Sequence, residues 1–243
     1  MNEATTPELY YWPGLPGRGE LVRLVLEAAE VPYRDVAGEP DALAAVLAAR
    51  KGSLGGATRP FAPPILVLGD EVLSQTALVM DVLGQRYGLV PKEAAAHARV
   101  RMVVLTWLDL LTEAHDTHHP IGVSIPFEDQ RPEARKAGAH FRERRLDGWL
   151  DHFAAVVREN GTGWQVGNAL STADLAAFQV LAGLDHAFPR AMAAARRPEL
   201  DALAARVEAH PSVAAYLASD RRRPFDDTGI FRRYPELDAV ADE

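Results

Sequence analysis

The chain has 243 residues, 48% of them hydrophobic and 25% charged, with a formal net charge of -8 and no cysteine. This is the make-up of a soluble globular protein with room for one large domain or two small ones. The acidic balance argues against broad binding to nucleic acid or an anionic membrane, and the lack of sulfur excludes disulfides, protein thiolate nucleophiles and cysteine-built metal sites.

The opening stretch, MNEATTPELYYWP, has neither a basic flank nor a long apolar run, so no signal peptide is expected. No segment has the ~18 uncharged apolar residues of a membrane span. Residues 9–12 form a short aromatic strand that Pro13-Gly14 ends. A glycine-rich loop leads to a helix over 20–30, whose apolar face holds Leu21, Leu24, Val25 and Ala28. Pro32 stops it, 33–36 can form a second strand, and 40–50 read as a short alanine-rich helix. A glycine-rich loop over 53–59 precedes the stretch that organises the domain. There Pro63-Pro64 is followed by a strand at 65–68, a Gly69-Asp70 turn, a strand at 71–73 and a helix start at Ser74-Gln75-Thr76. An X–Pro bond is the kind that reaches the cis form at little cost. Ser74 is expected to cap the helix, and the free N–H groups and dipole of a helix start suit a carboxylate. The first ninety residues therefore give β-α-β-α-β-β-α, one mixed α/β domain.

After a hinge-like 88–91 the strand signal fades. Helices are expected over 92–115, 132–160, 171–184, 198–209 and 212–219, with a short extended piece at 164–166. The helix at 171 is apolar enough to be buried on most sides, and Ser171 with Asp174 comes close to a capping box. The charged tail keeps Phe225, Ile230, Phe231 and Tyr234 to pack with.

This order, with X-Pro-strand-turn-strand-Ser-Gln-Thr at its centre, resembles the cytosolic glutathione transferases over almost the whole chain. The resemblance implies an α/β thioredoxin-like N-terminal domain over 7–89 that binds glutathione. It further implies an all-α helical bundle over 92–221 and a tail over 222–243 packing on the body. Glutathione would be the co-substrate, a small hydrophobic electrophile the second substrate, and a homodimer the active unit. The role would be detoxification in the cytoplasm, without nucleic acid, membrane or metal.

Several segments carry the match. Tyr11-Trp12 resembles the family's tyrosine and following aromatic, where the hydroxyl bonds the glutathione sulfur. Gly17-Arg18-Gly19-Glu20 with Arg23 resembles the pattern that opens the first helix, which implies a supporting role for Arg18 at the wall of the catalytic site. The loop before Gly17 is one residue longer than usual, which keeps Tyr10 as the alternative to Tyr11. Pro64 matches the cis proline. Pro63 holds the place whose backbone N–H and C=O bind the cysteinyl unit, and a proline has no N–H. Gln75 and Thr76 match the pair that holds the γ-glutamyl carboxylate. Asp109 matches an aspartate that reaches the γ-glutamyl amine of the neighbouring subunit. Phe61 matches the aromatic key inserted into the partner.

On their own residues the same positions have plainer readings. Tyr11 is equally a strand aromatic in a core, Arg18 a solvated cation, Gln75-Thr76 a capped helix start and Asp109 a surface carboxylate. Arg50, Lys51 and Arg59 form a local basic group from which one could meet the glycine carboxylate. His115, His118 and His119 have no trusted metal spacing. The resemblance sets His115 and His119 at the mouth of the electrophile pocket, beside an apolar wall of Trp107, Leu111 and tail aromatics. A binding or structural protein on the same fold, and a glutathione-dependent isomerase, dehalogenase or peroxidase, are the alternative functions.

Overall fold

The computed structural model describes residues 6–56 and 58–239. Residues 1–5 of the opening stretch, Ala57 in the glycine-rich loop and 240–243 of the expected tail lie outside the described residues. The chain divides into two units, and each is taken by itself. The first runs to Lys92 and includes Ala209–Pro224; the second comprises Glu93–Glu208 and the chain from Phe225 on. Residues 209–224, which the sequence places with the helices, thus group with the first unit. Among the described residues no helix is long and apolar enough to cross a membrane.

The first unit contains β1 (Glu8–Tyr10), α1 (Gly19–Ala28), β2 (Arg34–Asp35), α2 (Ala42–Arg50), β3 (Ile65–Leu68), β4 (Glu71–Ser74) and α3 (Thr76–Tyr87). The strands form one sheet in the order β2-β1-β3-β4. β1 runs parallel to β2 and antiparallel to β3, and β3 and β4 form a hairpin. Its turn needs Gly69, whose φ is +65°. β3 is short and apolar because Pro64 and Gly69 bound it, and Ile65 and Leu66 are fully buried. α1 is buried almost all round, Glu20 and Arg23 included, so its sides are not divided into apolar and solvated. The late helix α10 (Pro211–Leu217) packs against it.

The second unit is all helical: α4 (Ala94–Asp116), α5 (Arg131–His140), α6 (Leu146–Asn160), α7 (Thr172–Ala187), α8 (Pro189–Ala194) and α9 (Pro198–Glu208). Glu93 caps α4 by accepting the N–H groups of Ala95 and Ala96 at 2.8 and 2.6 Å. The single helix expected over 132–160 is interrupted by a π turn at Phe141–Arg145. Residues 164–166 are not a strand; Asn160 Nδ2 donates to the carbonyls of Trp164 and Gly167 and curls the loop instead. α7 is buried as expected. Its capping box is complete, with Asp174 accepting from the Ser171 N–H and hydroxyl, each at 2.8 Å. Burial pushes the Asp174 carboxyl up, against those hydrogen bonds. Trp107 stacks on Phe153 with ring centroids 3.5 Å apart and donates to Gln165 at 2.7 Å. It therefore belongs to this unit's core and is no open pocket wall, and Leu111 too is fully buried.

Candidate functional site

Strand register gathers one set of residues. Tyr10 pairs with Ile65 across β1 and β3, and Ile65 pairs with Ser74 across β3 and β4. Tyr11, Pro64 and Gln75 are the residues next to these pairs, at the same end of the sheet. The Pro63-Pro64 peptide is cis. Ser74 is the last residue of β4 rather than the helix cap that its residue type suggests. The cap position falls to Gln75, which makes no side-chain capping bond. Gln75 is exposed at φ +73°, a backbone that costs a residue with a Cβ about 1–3 kcal/mol. Thr76 beside it is buried. α3 thus starts with its first N–H groups, which no intrahelical carbonyl can reach, and its positive dipole end at this sheet end.

The two tyrosines divide as strand alternation requires. Tyr10 packs with Val36, Val46, Ala49 and Ile65. Its hydroxyl donates to Glu8 Oε2 at 2.9 Å, and burial, followed by that carboxylate, pushes its pKa up to about 12. Tyr11 turns to the other side, against the loop before α1. A Cβ added at Gly19 would lie 2.5 Å from its ring, and one at Gly17 would lie 2.3 Å from its hydroxyl oxygen. That oxygen accepts the backbone N–H of Arg18 at 2.8 Å. Burial raises the Tyr11 pKa, while Arg18 works the other way. The phenol is therefore neutral at physiological pH, with its oxygen already accepting the Arg18 N–H and its own proton retained.

Arg18 contributes through its backbone at this point, and its side chain is half-buried. Behind the loop, Arg23 donates from Nη1 to the Pro16 carbonyl at 3.4 Å and to Glu20 Oε2 at 3.2 Å. From Nε it donates to Asp35 Oδ2 at 2.8 Å. Burial raises the Asp35 carboxyl, but the Arg23 and Arg223 guanidiniums outweigh it and hold the group below the usual range. Tyr216, Arg222 and Arg223 join the same cluster. Sequence reading missed these three, and the only signal was the run Arg221-Arg222-Arg223 after an aromatic helix.

The basic group of the first unit also comes together. Arg50, Lys51 and Arg59 line a pocket of about 420 Å³ with Phe61. Arg50 Nε donates to the Phe61 carbonyl at 3.1 Å and Arg59 Nε to the Arg50 carbonyl at 2.8 Å. Phe61 itself is 84% exposed. Asp109 is exposed on α4 of the second unit. In that unit His119 is buried and tied on both sides. Its Nε2 faces Arg232, which donates to it, and Nδ1 faces the Ile125 carbonyl at 3.2 Å. Burial, then Arg232, lowers its pKa. The ring therefore serves to anchor the segment around Arg232.

A family model described as the glutathione S-transferase C-terminal domain matches residues 115–220. Mouse glutathione S-transferase A3 is 29% identical over 227 residues, covering 92% of this chain and 94% of that protein. Cattle glutathione S-transferase A2 is 26% identical over 230 residues, covering 93% and 95%. Among solved structures, the glutathione S-transferase of Ascaris lumbricoides superposes with a TM-score of 0.67 at 22% identity, over 90% of this chain and 98% of that one. The pi-class enzyme of Onchocerca volvulus gives 0.68 at 19% identity, over 88% and 92%. At these identities the structural matches speak for the fold; the sequence matches run through both units.

Proposed function

Since the chain belongs to the cytosolic glutathione S-transferase family, we propose that it activates the thiol of glutathione for attack on a small apolar electrophile. The observation that carries this reading is the Tyr11 hydroxyl, which keeps its proton and accepts the Arg18 N–H, at the sheet end shared by Pro64, Gln75 and the start of α3. Gln75, Thr76 and the first N–H groups of α3 hold the γ-glutamyl carboxylate. The Pro63 carbonyl accepts from the cysteinyl N–H. Tyr11 donates to the sulfur, with the Arg18 N–H supporting the phenol oxygen from behind.

A thiol with a pKa near 8.5 is only a few per cent ionised at pH 7, and each unit of lowering corresponds to about 1.4 kcal/mol. The sulfur gives up its proton to solvent, and its lone pair forms the bond to carbon as the leaving group departs with its electrons. The chain supplies position and a donor fixed in advance. Tyr11 acts as donor rather than base, because burial keeps its own proton on.

The active unit is a homodimer in this reading. Phe61 and Leu78 on the first unit, and Met102 and Leu105 on α4 of the second, are exposed apolar side chains that such an assembly covers. Phe61 is the anchor, and Asp109 reaches the γ-glutamyl amine of the neighbouring subunit. The cytoplasm, where glutathione is the abundant thiol, is the compartment that fits.

One observation favours a second reading. Pro63 has no N–H to offer the cysteinyl carbonyl, so the ligand loses a hydrogen bond worth about 1 kcal/mol. A protein that had lost more than this would be a binding or structural dimer. Calorimetry with glutathione separates the two. Saturable binding that Gln75→Ala weakens supports the first reading, and absence of binding in the wild type supports the second.

A further inference from the structure

The Tyr11 hydroxyl is only as well placed as the loop that touches it. Its oxygen takes the Arg18 N–H, and its ring fills the space left by the missing side chains of Gly17 and Gly19. A shift of that loop is therefore a shift of Tyr11. The loop is held at its root by the Pro16 carbonyl, which accepts the Glu20 N–H at 2.9 Å and Arg23 Nη1 at 3.4 Å. Both Glu20 and Arg23 are fully buried. Buried charges stay in place only when paired and hydrogen-bonded.

Their partners come from far along the chain. Glu20 Oε1 accepts from the Tyr216 hydroxyl and from Arg222 Nη1, each at 2.5 Å. Asp35, the other partner of Arg23, accepts from Arg223 Nη2 at 3.1 Å. Outside this cluster Glu27 accepts from Tyr33 and from Arg221. Segment 209–224 is thus clasped to α1 through carboxylates that lie under the Tyr11 loop. Three guanidiniums face two carboxylates here, so the cluster carries one net positive charge, and Arg23 lies 5.9 Å from the Tyr11 ring centroid.

We propose that Tyr216 and Arg222 are positioning residues for thiol activation: by holding Glu20 they fix the 16–19 loop that sets the Tyr11 hydroxyl, and Arg222 adds the positive charge that favours a thiolate nearby. The inference rests on the reading of the site given above. It assigns to segment 209–224 a part in the chemistry through Glu20 rather than through contact with the ligand.

The test is a pH titration of the bound glutathione thiolate, followed by its ultraviolet absorbance, on wild type, Tyr216→Phe, Arg222→Gln and Arg222→Lys. In Tyr216→Phe and Arg222→Gln the thiol pKa is expected to rise by about 0.5–1 unit. kcat/KM at pH 6.5 is expected to fall about threefold to tenfold and to recover at high pH. Arg222→Lys, which keeps the charge, retains most of the wild-type pKa. Should Tyr216→Phe fail to fold, the two Arg222 variants carry the same comparison, since that side chain is partly exposed. A wild type with a lowered thiol pKa and folded variants that share it overturns this inference and leaves the site reading intact. A wild type that binds glutathione with an ordinary thiol pKa, or does not bind it, overturns the site reading and this inference with it.

Discussion

The Tyr11 hydroxyl oxygen accepts the backbone N–H of Arg18 at 2.8 Å, across a loop in which two glycines make room for the ring. The Tyr11 hydroxyl and the helix start are thereby built as one piece. The phenol cannot rotate away without breaking that bond, and the loop cannot take on a side chain without displacing the phenol.

Gly19→Ala tests this coupling. The new Cβ meets the base of the Tyr11 ring at 2.5 Å, where no flexible end can give way. The expected cost is about 1–3 kcal/mol of stability. Glutathione-dependent turnover is expected to drop at least tenfold while glutathione still binds, since a small misplacement of a reacting group has a large effect. Thermal unfolding and steady-state kinetics on the same preparation check both parts. Wild-type kinetics in the variant would show that the loop is looser than the packing implies.

Phe61 presents 84% of its surface to solvent in the single chain. Truncation to Ala is expected to weaken the proposed homodimer by about 2 kcal/mol or more, the scale of an aromatic anchor in a partner's pocket. Sedimentation over a concentration series reads this directly. An unmoved profile would make Phe61 a loop residue with no part in assembly.

His118 sets an acid limit on the second unit. Its ring is buried against Phe188 and Tyr234, and neither ring nitrogen has a hydrogen-bond partner. Burial, then the nearby His115 and Arg232, lowers its pKa to about 3. An unfolded histidine titrates near 6.5. The unfolded state therefore binds a proton first as pH falls, and stability declines through the window from about 6.5 to about 3 by up to ~1.4 kcal/mol per pH unit. His118→Phe keeps the stacking and removes the proton site, so its stability should fall less steeply in that window. Denaturant titrations at pH 7 and pH 5 make the comparison. Equal slopes in the two proteins would remove His118 as the cause.

Much of this arrangement was legible in the chain because local chemistry marks it. Pro64 and Gly69 bracket an apolar run, so β3 was readable to the residue. The apolar run over 171–184 announced a buried helix, and Ser171 with Asp174 marked its start. The Pro63-Pro64-to-Gln75-Thr76 interval placed one end of the sheet. What the sequence hid depends on partners distant along the chain. Ser74 has the residue type of a cap, yet its pairing with Ile65 keeps it in the strand and leaves the turn to Gln75. α8 went unread because its first N–H groups, those of Arg190 and Ala191, are capped by Asp238, 48 and 47 residues away. The π turn at Phe141–Arg145 preserves a helical run of apolar residues and so leaves no break to see. Nothing local in the chain marks Glu20 and Arg23 for burial. They are buried because Tyr216, Arg222 and Arg223 arrive from the other end of the chain.

In the proposed function Tyr11 donates to the sulfur of glutathione. The most direct measurement is the rate of glutathione consumption with an activated aryl halide, in the wild type and in Tyr11→Phe at matched glutathione saturation. A clear wild-type rate is expected, with a tenfold to thousandfold loss in the variant, the scale of one donor to a stabilised anion, and an unfolding midpoint little changed. A wild-type rate that Tyr11→Phe leaves untouched would contradict it and remove Tyr11 from the chemistry.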